Sequence, residues 1–118
     1  MTDLIACLST GKGTWGHVKR VIEEENWGKI FVVTNQFGSD KFVAGKDFTK
    51  IIIDPMLSIN DMSRQIQEAI KGKINEKELA INLISGSGKE HMALMSAAMK
   101  MKLEFDLMAL TKEGITKV

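Results

Sequence analysis

Four short apolar runs, Leu4-Ile5-Ala6-Cys7-Leu8, Ile30-Phe31-Val32-Val33, Ile51-Ile52-Ile53 and Leu79-Ala80-Ile81-Asn82-Leu83-Ile84, punctuate this chain without helical spacing. Runs of this length bounded by turn residues read as strands buried on both faces, the mark of a parallel sheet. By that reading Ile52 and Leu83 are central-strand positions, where an aspartate would unfold the domain. Between the runs the period changes. Trp15, Val18, Val21 and Ile22 recur at helical intervals, with the pairs Lys19–Glu23 and Arg20–Glu24 on the other side and Gly28 as the stop. Met62, Ile66, Ala69 and Ile70 form a second stripe, capped by Ser58 or Asn60 and ended by Gly72. A methionine-rich helix is expected from about Lys89 to Lys102, with Met92, Met95 and Met99 as core or, alternatively, as a homodimer interface. Gln36–Phe48 allows at most a short helix or an irregular excursion, and Phe105 to Val118 reads as a closing β-hairpin around Lys112-Glu113-Gly114.

Strands alternating with helices imply parallel βαβ units and a sheet covered on both faces. The expected fold is α/β, a Rossmann-like three-layer sandwich with a mostly parallel sheet and a C-terminal β-hairpin edge. The 118 residues fit one domain over 1–118, with no linker and no repeat.

Composition narrows the function. Sixteen Lys plus Arg against fifteen Asp plus Glu leave a formal net charge of +1, too little for a salt-driven grip on duplex nucleic acid. No run reaches the roughly 18 apolar residues of a membrane span. Cys7 has no second cysteine to pair with, which makes a reducing cytoplasm the expected location. Neither a zinc set nor a resident cofactor is expected, because His17 and His91 are the histidines present and neither has ligand-like company.

In open α/β sheets, ligands sit at the carboxyl ends of strands where strand order reverses. Two loops there share a chemistry: Ser9-Thr10-Gly11-Lys12-Gly13-Thr14-Trp15-Gly16 and Ser85-Gly86-Ser87-Gly88-Lys89-Glu90-His91. Glycines admit close backbone approach, helix-start amides carry partial positive charge, hydroxyls donate, and each loop has a lysine. Such glycines are also ordinary turn punctuation. Gly11, Gly13 and Gly16 satisfy G-x-G-x-x-G, yet Thr34-Asn35 stands where the ribose-binding acid belongs, and Trp15 is bulky for a pyrophosphate turn. A P-loop motif is missing, which excludes that kind of nucleotide hydrolysis. His91, in the second helix opening, is a candidate to face ligand, whereas His17 reads as a helix-surface residue.

Leu4–Thr10 leading into a glycine-bearing helix start, and Asn82-Leu83-Ile84-Ser85-Gly86-Ser87-Gly88-Lys89 leading into His91–Ala98, resemble the CARF family, the sensor domains of CRISPR-associated proteins. Ser87 departs from that family's usual second glycine, and Gln36–Phe48 is shorter than its usual helix. The resemblance implies a homodimer in antiviral defence that binds a cyclic oligoadenylate across a shared groove. Ser9, Thr10, Gly11, Lys12 and Gly13 would meet it from the first loop, and Ser85, Gly86, Ser87, Gly88, Lys89 and His91 from the second. Members usually carry a fused effector, so this chain would act through a separate effector protein or be a fragment of a longer one. The family's ring nucleases suggest an alternative, metal-independent cleavage by a ligand 2′-hydroxyl, with Lys89 stabilising charge and Ser9 donating a hydrogen bond. A dinucleotide-binding module is the second alternative.

Overall fold

A computed structural model describes all residues, Met1–Val118. Its sheet has six strands: β1 (Asp3–Leu8), β2 (Ile30–Thr34), β3 (Thr49–Ile52), β4 (Leu79–Asn82), β5 (Phe105–Thr111) and β6 (Gly114–Lys117). They lie in the order β3-β2-β1-β4-β5-β6. The first five run parallel and β6 returns antiparallel to β5. The Rossmann-like α/β reading with a hairpin edge therefore holds, and strand order reverses between β1 and β4.

Helix α1 (Trp15–Glu24) and the short α2 (Gln36–Lys41) cover one face. Helices α3 (Ile59–Ile70) and α4 (Gly88–Lys100) cover the other, packed against each other. Alternation along the strands divides the core accordingly. Leu4, Ala6, Leu8, Ile30 and Val32 meet α1, while Ile5, Cys7, Phe31, Val33 and Ile81 meet α3 and α4. Each fully buried aliphatic side chain stabilises the fold by roughly 1.5–3 kcal/mol, so the central strands carry most of it.

Several local expectations change. Strand β3 is an edge, and Ile52 is 41% exposed rather than central. Strand β4 ends at Asn82, leaving Leu83 half-buried beyond it. Helix α1 ends at Glu24, ahead of Gly28, and the Trp27 indole donates to Val21 O at 2.8 Å, occupying a last-turn carbonyl. Glu23 accepts from the Gly45 N–H rather than pairing with Lys19, whereas Arg20–Glu24 does form an ion pair. Ser58 is the cap of α3, accepting from Asp61 N at 3.1 Å.

The methionines are the clearest reversal. Met92 is 60% and Met99 70% exposed, and Met95 is half-buried. The inward positions of α4 are Leu94 and the small Ala93, Ala97 and Ala98, which let the helix lie close to both α3 and the sheet, with Met95 packed against their edge. Met92 and Met99 are left outside.

At the amino end of the sheet the buried Asp3 carboxylate accepts from Lys29 N at 2.6 Å and Asn75 N at 2.8 Å. One side chain thereby fastens β1 to the segments that enter β2 and β4.

Candidate functional site

The two glycine loops lie side by side at the carboxyl rim, because β1 and β4 are neighbours with Ala6 opposite Asn82. Ser9 N donates to Ser85 Oγ at 2.9 Å, and the two hydroxyl oxygens stand 3.3 Å apart. Ser85 is buried, so this bond is the junction between the loops rather than a free donor. Gly86 follows with φ +109°, a conformation that disfavours any side chain. A Cβ there would also come within 3.1 Å of His91 Nε2.

The other sequence candidates take up separate positions. Thr10, Gly11, Lys12, Gly13, Ser87 and Gly88 are exposed on the rim. Lys12 and Gly13 lie in a 3-10 turn that precedes α1, and Gly11 N donates to Ser9 Oγ at 3.3 Å. Lys89 Nζ donates to Pro55 O at 2.8 Å, in the connection that leaves the carboxyl end of β3, and so is engaged by the protein's own backbone. His91 Nε2 stands 2.8 Å from Ser85 O and steadies the loop from below. Ser87 N donates to Glu90 Oε2 at 3.3 Å and the Ser87 hydroxyl donates to the same oxygen. A carboxylate thus neutralises part of the helix start that an anion would seek.

Beneath the rim is a cavity of about 10 Å³ bordered by Cys7, Thr34, Asn35, Gly86 and Glu90, space for one water rather than a nucleotide. Burial there, reinforced by the Glu90 charge, pushes the Cys7 thiol up to about 12, so Cys7 is no nucleophile. A ligand on a single copy of the chain would lie on the rim.

Three features escaped the sequence reading. His17 is half-buried with its ring nitrogen engaged rather than free on the helix surface: Leu110 N donates to its Nε2 at 3.2 Å, and Asn82 Nδ2 stands 3.2 Å from the same nitrogen while donating to Met108 O at 2.8 Å. Burial, with Arg20 nearby, lowers its pKa. Glu90, a member of the second loop, turns its carboxylate back on Ser87 as half of a capping box. The Trp15 indole donates to Ser9 O at 2.8 Å and its ring meets Phe37 (6.1 Å between centroids) and Phe42 (5.6 Å). Lys12 Nζ sits 5.7 Å from the Trp15 ring and 5.5 Å from that of Phe37. The position of Phe37, three residues past β2, was the available signal.

No His, Cys, Asp or Glu trio gathers to hold a metal ion. No helix is long and apolar enough to cross a membrane. Comparison with protein-family models and with curated proteins finds no match.

Proposed function

We propose that this chain is a ligand-sensing domain that binds a phosphate-bearing nucleotide, a cyclic oligoadenylate by its resemblance to CARF domains, along the rim where β1 and β4 diverge. The observation that carries this reading is the Ser9–Ser85 junction, which holds two loops of the same chemistry together at the reversal of strand order. Around it Thr10, Lys12, Gly13 and Gly88 are open to solvent, offering backbone amides, a hydroxyl and an ammonium group.

A ring ligand with two-fold symmetry suits two copies facing each other, each supplying half of the contacts. Exposed Met92, Met99, Ile84, Leu107 and Val118 give α4 and the neighbouring sheet edge apolar surface for such a partner. The second copy would supply the depth that the 10 Å³ cavity lacks. Sensing ranks above cleavage. Lys89 is held by Pro55 O, and the Ser9 hydroxyl faces Ser85 and Gly11, with no general base among its partners. Asn35, which caps α2 by accepting from Gly38 N at 3.0 Å, stands where a dinucleotide site needs an acid.

The test is a thermal-shift panel of cyclic tetra-adenylate, cyclic hexa-adenylate, NAD and NADP, with chromatography of each ligand after incubation. A higher Tm with a cyclic oligoadenylate recovered intact is expected. Linear or cyclic-phosphate products would favour the nuclease, a response to NAD or NADP alone the dinucleotide module, and no response to any of them would refute nucleotide binding.

A further inference from the structure

We infer that Phe37, backed by Trp15 with the two rings 6.1 Å apart and inclined at 52°, forms a stacking platform for the planar base of a nucleotide, and that Lys12 occupies it until ligand arrives. This rests on the proposal that the adjoining loops take phosphate, and it adds a base subsite beside them.

Phe37 is a large aromatic left 39% exposed at the first turn of α2, on the same carboxyl rim as the glycine loops. Its neighbour Trp15 is half-buried and fixed twice over. The indole N–H is committed to Ser9 O at 2.8 Å, and the ring packs edge-on against Phe42, 5.6 Å away, which in turn meets Phe48 at 5.7 Å. The row of rings is anchored at buried Phe42 and ends at the surface in Phe37. A platform held from behind loses little freedom when a base settles on it.

The residue joining platform to loop is Lys12. Its ammonium lies within 6 Å of both ring centroids, a cation–π arrangement at an exposed site worth only about 0.5–1 kcal/mol. It has no carboxylate or carbonyl partner among the hydrogen bonds and ion pairs of the chain. A base stacking on the rings releases this flexible cation, which is then free to turn toward the phosphate of the same ligand. Base and phosphate are thus recognised in one exchange, made by a lysine three residues from Ser9 of the Ser9–Ser85 junction.

Calorimetric titration of the wild type, Phe37→Ala and Phe37→Tyr with cyclic tetra-adenylate and with inorganic tripolyphosphate tests this. Phe37→Ala should weaken cyclic tetra-adenylate about tenfold, as losing one base stack does, and bind tripolyphosphate no more weakly than wild type, since Lys12 is then freer, while Phe37→Tyr keeps both. Quenching of tryptophan emission by cyclic tetra-adenylate but not by tripolyphosphate, lost in Trp15→Phe, is the accompanying signature. Equal affinity of wild type and Phe37→Ala for cyclic tetra-adenylate overturns the platform and leaves phosphate binding standing. So does a wild type that takes tripolyphosphate alone. A wild type that binds neither probe removes both.

Discussion

Ser85 Oγ accepts the backbone N–H of Ser9 across 2.9 Å, so a side chain three residues past β4 continues the hydrogen bonding just beyond the end of β1. Parallel pairing of these strands stops at Ala6 and Asn82, and beyond it this hydroxyl takes over. Ser85→Ala would leave a part-buried N–H without its acceptor and cost about 1–2 kcal/mol. The urea midpoint should fall accordingly. An unchanged midpoint would mean that the loops are held by something else.

A second expectation separates central from edge positions. Ile81→Asp places an unpaired charge at a position with no solvent exposure and should abolish cooperative unfolding. Ile52→Asp, on the outer strand and 41% exposed, should cost less than about 1 kcal/mol. Circular dichroism melts of the two variants check it, and equal damage would contradict the strand order.

Cys7, with its thiol pushed up to about 12, should resist iodoacetamide at pH 8 in the folded protein and react readily once urea unfolds it. Rapid modification of the native chain would show the end of β1 to be open.

His17 should make stability depend on pH. Its pKa is lowered from the ordinary 6.5 by partial burial and then by the nearby Arg20 charge, and a protonated Nε2 would also lose the bond it accepts from Leu110 N. Between the lowered value and 6.5 the unfolded chain binds more protons than the folded one. The contribution is therefore complete above about pH 6.5 and is lost as pH falls through the lowered value. Urea midpoints at pH 7.5 and 5.5 should drop more for wild type than for His17→Gln, whose neutral amide accepts at either pH. Parallel drops would assign the effect to other groups.

If a second copy covers α4, replacing Met92 and Met99 together by lysine should turn a dimer into a monomer, as read by light scattering, with little change in the monomer's core. A wild type that is monomeric at high concentration would remove that interface.

The fold was legible because buried parallel strands leave continuous apolar runs, and Leu4–Leu8, Ile30–Val33 and Leu79–Asn82 are of that kind. Ile51–Ile53 has the same pattern but lies at an edge, since strand order is set by crossovers that composition does not record. In α4, periodicity marked an apolar side, yet the core took the alanines, because close packing on two neighbours favours small residues over long ones. Both rim loops were visible from their glycines. What their side chains touch was not: Lys89 on Pro55 O, Glu90 on Ser87 and Lys12 on Phe37 are contacts between distant segments or neighbouring turns, which spacing alone does not specify.

The carboxylate of Asp3 gives the sheet an unequal pair of ends. Where it sits, three segments are pinned through charge-assisted bonds, while the far end is joined between β1 and β4 by a neutral hydroxyl contact. Any spreading of the strands should therefore begin at the weaker end and pivot on the stronger, like a book opening from its unbound side.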